Sequence, residues 1–140
     1  MSARTGIAVA ATILAAAAFG LPAATAAPAI PLSGGQETQA ADPDGHGFFT
    51  YSIDGTAFCW TLSWQDIQTP TAAHVHVGAR HVAGPVLIPL DVDGVPGPDT
   101  SGCTTISAEL AAAISADPGN YYANVHNATY PAGAIRGQLK

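Results

Sequence analysis

Two histidines, His74 and His76, stand two residues apart in a stretch where histidine alternates with valine, residues 72–77. Such alternation is typical of a β-strand, in which side chains two apart share one face and lie about 7 Å from each other. Two imidazoles at this spacing can converge on one metal ion about 2 Å from each nitrogen. Because Val75 and Val77 take the opposite face, we expect the histidine pair on the outer face of a sheet or at its rim.

A third histidine, His126, follows Val125 in another β-prone stretch and again points away from its valine. If the two strands are neighbours, three imidazoles meet and leave one position open, an arrangement that suits copper or zinc. His81, in the segment after His76, is either a fourth ligand or a solvated loop residue. His46 lies in a turn-rich segment and is a weaker candidate. The alternative for the whole set is a polar surface that binds no metal.

Arg136 is one of only four cationic residues in the sequence and lies near the end of the last predicted strand. Two roles are open for it: pairing with one of the ten acidic side chains, or attracting anions beside the histidines. The sequence lacks the common nucleophile-elbow, phosphate-loop and zinc-protease motifs. The histidines are therefore the main candidates for chemistry.

The elements that position these residues are predicted to be short strands separated by turns. Asp54-Gly55 lies between two β-prone runs, residues 48–53 and 56–64, which is a strong hairpin signal. The second run alternates, and its larger apolar side chains share one face. These are Phe58, Trp60, Leu62 and Trp64.

The rest of the chain follows the same pattern, with one exception. A helix is predicted at residues 107–116, with Ser107 as its cap. Residues 27–45 have room for one short edge strand, and residues 91–102 are predicted to form a loop. Further strands are expected at residues 72–77, 84–90, 121–127 and 134–139, and the prolines of 84–90 favour an edge position or an early end of that strand. The predicted fold class is all-β: an antiparallel, Greek-key-like β-sandwich with one short helix.

The amino-terminal segment has the pattern of a signal peptide. Arg4 precedes an uncharged, alanine-rich core, and residues 24–26 have the small-x-small form of a cleavage site. The apolar core is shorter than the ~20 residues that a membrane span needs. We therefore expect residues 1–26 to be a signal peptide, and residues 27–140 to form one secreted or extracellular domain.

Cys59 and Cys103 both follow the predicted cleavage site. An isolated cysteine pair in an oxidising compartment usually forms a disulfide. The alternative, a redox pair or a thiolate metal site, has little support because the sequence contains no C-x-x-C motif.

The charge balance excludes two classes of partner. Without Arg4, three cationic side chains face ten acidic ones, which gives the mature chain a net charge of −7. Such a chain has no basic surface for phosphates, so we expect neither nucleic acid nor, after cleavage, a membrane as a partner. An extracellular protein or cell-surface partner stays open, and so does the oligomeric state.

Four segments, in order along the chain, resemble the CHRD domain family, named after chordin. They are residues 32–37, 73–78 followed by 84–86, 118–126 and 133–139. The resemblance covers essentially the whole predicted mature chain. It implies a secreted or extracellular β-module with a poorly defined biochemical role. Chordin's growth-factor binding belongs to separate Cys-rich modules that are absent here, so the resemblance does not imply it.

A weaker resemblance is to the Cu/Zn superoxide dismutases, which are antiparallel β-sandwiches with a His-x-His strand and a later Val-His strand. It implies that His74, His76 and His126 take copper-ligand positions and that Arg136 lies near the superoxide-guiding position. The sequence departs from that family in having no zinc-loop cluster. Gly78 also comes one residue earlier than its counterpart, and the cysteines are placed differently.

Three hypotheses follow for the mature domain. The first is a metal-binding module, with copper favoured as the cofactor. The second is a copper enzyme of the superoxide-dismutase type, in which Arg136 would contribute to catalysis. The third is a non-catalytic extracellular interaction domain in which the histidines only support the sheet.

Overall fold

The computed structural model describes residues 28–140, and the predicted signal peptide lies outside the described residues. Eight β-strands and one α-helix form in this part of the chain. Short 3₁₀ turns cover Gly34–Gln36 and Pro118–Asn120. The strands are β1 (Ile30–Ser33), β2 (His46–Asp54), β3 (Ala57–Gln65), β4 (Pro70–Val77), β5 (Val86–Leu90), β6 (Asp99–Thr105), β7 (Tyr121–Asn127) and β8 (Ile135–Gln138), and the helix is α1 (Ala108–Ala116).

All described strand pairs are antiparallel, in the order β5-β4-β7-β8-β1-β2-β3-β6. The all-β class and the single short helix are thus confirmed. All eight strands form one continuous sheet, because β1 pairs with both β8 and β2. The sheet curls around one core and nearly closes. The predicted hairpin is the β2–β3 pair, with Asp54 opposite Ala57 and Gly55 at a left-handed φ of 58°.

Two strand expectations need correction. The expected edge strand in residues 27–45 is β1, which lies inside the sheet because Ile30 and Leu32 are buried in the core. The expected loop at residues 91–102 ends in a strand, β6, which pairs with β3 along seven residues. β6 carries no large apolar side chain, so hydrophobic alternation does not reveal it. The expected edge position of the proline-containing strand, β5, is confirmed.

The core lies on the inner face of the curled sheet. The predicted apolar face of β3 is buried, and Val75 of β4 and Val125 of β7 are 0% exposed. Helix α1 is capped by the Ser107 hydroxyl, which accepts a hydrogen bond from Leu110 N at 3.1 Å, and it packs Ile114 into the core. The helices of residues 28–140 are all too short or too polar to cross a bilayer.

The predicted disulfide between Cys59 and Cys103 is present and joins facing residues of β3 and β6. It holds an edge strand that contributes no large apolar side chain to the core. For a 44-residue separation, the chain-entropy model gives a stabilisation of about 4 kcal/mol.

We therefore expect the double substitution Cys59→Ala and Cys103→Ala to lower the free energy of unfolding by about 4 kcal/mol in urea titrations. In the same titrations, a reductant should lower the free energy of unfolding of the native protein and leave that of the double variant unchanged. Equal urea midpoints for the native and double-variant proteins would contradict a stabilising role for the bond.

Candidate metal centre

The registers of β4 and β7 bring the three predicted histidines to one face of the sheet. His74 lies opposite Asn124, His76 opposite Tyr122, and Ala72 opposite His126. Because side chains alternate along each strand, these six residues share the face of the sheet opposite to that of Val75 and Val125. β4 and β7 are neighbours, so the condition under which the three imidazoles can meet is fulfilled.

The three imidazoles converge. Each offers one ligand nitrogen, and these three atoms lie within 4.8 Å of one another. The shortest contact, 3.1 Å, joins His74 Nδ1 to His126 Nε2. Two nitrogens that each lie about 2 Å from one ion are at most about 4 Å apart, so modest ring rotations complete a three-nitrogen site.

Hydrogen bonds to main-chain carbonyls orient two of the rings. His76 Nδ1 donates to Gly84 O at 2.8 Å, and His126 Nδ1 donates to Pro131 O at 3.0 Å. A carbonyl only accepts, so in both rings the proton is assigned to Nδ1 and the lone pair to Nε2. Metal-ligating histidines typically have such a partner on the other ring nitrogen.

His76 Nε2 is the most informative atom of the cluster. It is buried and has no hydrogen-bond partner among the described residues. A buried acceptor without a partner costs roughly 1–3 kcal/mol. The expected outer-face position holds for this residue, but the side chain is only 7% exposed because the following loop and Tyr122 cover it.

The surroundings of His74 and His126 favour the neutral imidazole, the form that binds metal. Burial, together with the nearby His126 and His76, lowers the pKa of His74 to about 4. Burial is the main cause that lowers the pKa of His126, although the hydrogen bond to Pro131 opposes the shift. Protons therefore compete weakly with a metal for the nitrogens of His74 and His126 near neutral pH.

The loop of residues 78–84 covers His76 and is held by Arg136. The guanidinium of Arg136 donates to Val82 O at 3.0 Å and to Ala79 O at 2.9 Å, and its Cζ lies 3.4 Å from the centroid of the Tyr122 ring. The same tyrosine ring stacks on His76 at 4.8 Å with an interplanar angle of 5°. Arg136, which is 1% exposed, therefore supports the site through the loop and Tyr122.

Two further candidates stay apart from the cluster. His81 is exposed in the 78–84 loop with a left-handed φ of 61°, and it does not belong to the converging group. His46 is exposed on β2, where it contacts Gln65 and Asp66. The structure thus brings together the three predicted ligands and leaves the candidate fourth ligand on the surface.

Sequence reasoning missed a polar pair on the same sheet face, Glu37 and Asn124. Asn124 could have been found, since it alternates with His126 on β7, but nothing local to Glu37 predicts its position. Glu37 Oε1 and Asn124 Oδ1 are both buried without a hydrogen-bond partner among the described residues. Burial raises the pKa of Glu37 to about 7, against the opposing effect of the Arg136 charge. A hydrogen bond with the Asn124 side chain also opposes this rise in pKa.

This shift predicts a pH dependence of stability. The folded state keeps a proton on Glu37 that the unfolded chain releases above its ordinary pKa of 4.5. The resulting stabilisation is full below pH 4.5 and is lost as pH rises through about 7. His74 acts with the opposite sign: its contribution is full above 6.5 and is lost as pH falls through about 4.

The substitution Glu37→Gln should therefore remove the decline that Glu37 causes between pH 4.5 and 7. The difference in free energy of unfolding, variant minus native, should therefore increase from pH 4.5 to 7. Urea titration with a chelator present measures it. Glu109→Gln is the control, because Glu109 is exposed and its pKa is lowered. Native and Glu37→Gln curves that stay parallel would show that Glu37 is ionised in the fold.

Comparison with known proteins places the chain in a family. The family model of the CHRD domain matches residues 29–139. No curated protein and no solved structure matches the chain. Since the match covers almost all of the described residues, the chain belongs to the CHRD domain family.

Proposed function

We propose that this protein is a secreted CHRD module that binds one metal ion, with copper favoured, through His74, His76 and His126. The observation that carries the proposal is the buried lone pair of His76 Nε2, which has no partner while its ring is oriented by Gly84. A metal ion would satisfy this atom together with the other two imidazoles. The convergence of three ligand nitrogens within 4.8 Å supports the same site.

The donor set favours copper over other common divalent ions. Imidazole suits copper, zinc, iron and nickel, and affinity for a given nitrogen site peaks at Cu²⁺ in the first-row series. Binding through His74 Nδ1 would replace its contact with His126 and move the His74 proton to Nε2. The three protein ligands leave a position for water or another small molecule.

Metal binding is better supported than a dismutase-type reaction. In the dismutase-like hypothesis, Arg136 attracts an anion to the metal. Here its guanidinium donates to two loop carbonyls and to Gln138 Oε1, and it is 1% exposed. These contacts favour a role in holding the loop that covers His76.

Secretion is the other part of the proposal. It rests on the signal-peptide pattern of residues 1–26. The Cys59–Cys103 disulfide supports it, because such bonds persist in oxidising compartments.

The test is a metal-retention measurement on the disulfide-bonded domain, residues 27–140. The protein is equilibrated with Cu²⁺ or Zn²⁺ separately, desalted and analysed for metal. We expect one copper per chain in the native protein and none in His74→Ala, His76→Ala or His126→Ala. His46→Ala and His81→Asn are the matched controls and should retain copper, since Asn tolerates the left-handed φ of residue 81. No retained copper in the folded native domain, or equal loss in the controls, would reject the site.

A further inference from the structure

A cleft on another part of the surface brings together two cationic side chains. It has a volume of about 580 Å³ and lies beside the carboxyl end of β8. Pro31 is exposed and supplies apolar surface, and Arg80 and Lys140 supply the charged groups. The buried side chains of Ile30 and Leu139 lie beneath the cleft. The volume falls in the range of about 300–1,000 Å³ that is usual for small-molecule sites.

The placement of the cations is uneven for so acidic a chain. Residues 28–140 contain three Lys or Arg side chains against ten acidic ones, and two of the three line this cleft. Neither Arg80 nor Lys140 forms an ion pair with another residue of the described chain. The third, Arg136, is buried and bonds to Ala79 O, directly before Arg80.

The amide nitrogens of the two glutamines in the cleft are already engaged. Gln36 Nε2 donates to Pro31 O, and Gln138 Nε2 donates to Gly78 O and Gly119 O. The main-chain oxygen of Lys140 accepts a hydrogen bond from Tyr51 Oη at 3.0 Å, which anchors that residue beside the cleft. Arg80 and Lys140 are therefore the groups free to bind a ligand, and both prefer an oxyanion.

We propose that this cleft binds a small organic oxyanion, whose carboxylate, sulfate or phosphate group contacts Arg80 and Lys140 and whose body packs beside Pro31. The net negative charge of the rest of the domain repels anions. Binding therefore depends on these two cations and weakens with salt, since the Debye length is only about 10 Å at 0.1 M. This site is separate from the proposed metal centre.

The test is a titration of the ¹⁵N-labelled domain followed by amide chemical shifts. The probes are glucuronate, glucose 6-sulfate and glucose 6-phosphate, with uncharged glucose as the control ligand. At least one charged probe should shift the amides of Gly119, Gln138 and Leu139, and glucose should not. The charged probe that binds most tightly identifies the oxyanion.

Variants assign the effect to the cleft. Arg80→Gln and Lys140→Gln should each weaken binding by about threefold or more, in line with an exposed charge pair. His81→Asn is the matched control, because His81 is exposed in the same loop and Asn tolerates its left-handed φ. No shifts with any charged probe, equal shifts with glucose, or unchanged affinity in both Gln variants would overturn the proposal. Because Arg80 and Lys140 are both exposed, the variants should fold like the native domain. Unchanged amide chemical shifts outside the cleft would verify the fold.

Discussion

Replacing Arg136 by methionine should lower the free energy of unfolding by about 3 kcal/mol, the largest effect we expect from a single side chain on the outer face of the sheet. The substitution keeps most of the aliphatic stem but leaves Val82 O, Ala79 O and Gln138 Oε1 without their donor. It also removes the cation from the Tyr122 ring. Urea titration of the metal-free protein measures the loss.

The same substitution should weaken copper binding by about tenfold, as is typical when a residue that supports a metal ligand is removed. Arg136 acts on His76 through two contacts. Gly84 of the 78–84 loop orients the His76 ring, and Tyr122 stacks on it. Arg80→Met is the control, because Arg80 lies exposed in the same loop and should change stability by less than about 0.5 kcal/mol. Equal stability losses in the two variants would contradict a specific role for the buried guanidinium.

The second large effect is expected at Gly84. A Cβ built on this residue would overlap the Val77 carbonyl, so the backbone must move to accept alanine. Gly84→Ala should lower the free energy of unfolding by about 2 kcal/mol or more. It should also weaken copper binding by roughly 10–100-fold, because Gly84 O is the acceptor for His76 Nδ1 and Gly84 N donates to Tyr122 Oη.

Gly97→Ala is the matched control for the glycine prediction. A Cβ at Gly97 meets nothing within 4 Å, so this variant should have native stability or slightly more. Copper affinity, measured by competition with a chelator, should be native in Gly97→Ala and reduced in Gly84→Ala. Native affinity in Gly84→Ala would mean that His76 does not depend on this loop for its orientation.

The parts of the structure that the sequence predicts are those governed by local alternation. His74, His76 and His126 each alternate with a core valine, which places them on one face before any pairing is known. The Asp54-Gly55 turn and the cap at Ser107 are local signals too. The remaining assumption, that β4 and β7 are neighbours, is the one the pairing confirms.

The parts that the sequence does not predict depend on contacts between distant segments. β6 lacks apolar alternation and is held by pairing with β3 and by the Cys59–Cys103 bond. The burial of His76 comes from a loop that Arg136, 54 residues beyond Val82, fixes in place. Glu37 lies between β1 and β2 in the chain and interacts with Asn124 and Arg136, and no periodic pattern in the sequence predicts this. Such positions follow from tertiary packing, which single-sequence patterns do not encode.

The central claim is that three imidazoles hold one metal ion, and a crystal structure of the copper-loaded domain with anomalous data at the copper edge tests it most directly. We predict one strong anomalous peak about 2 Å from His74 Nδ1, His76 Nε2 and His126 Nε2. His76 Nδ1 should still donate to Gly84 O, as it does at 2.8 Å here. A peak at His46 or His81 instead, or an ordered cluster without a peak in crystals equilibrated with copper, would contradict the account.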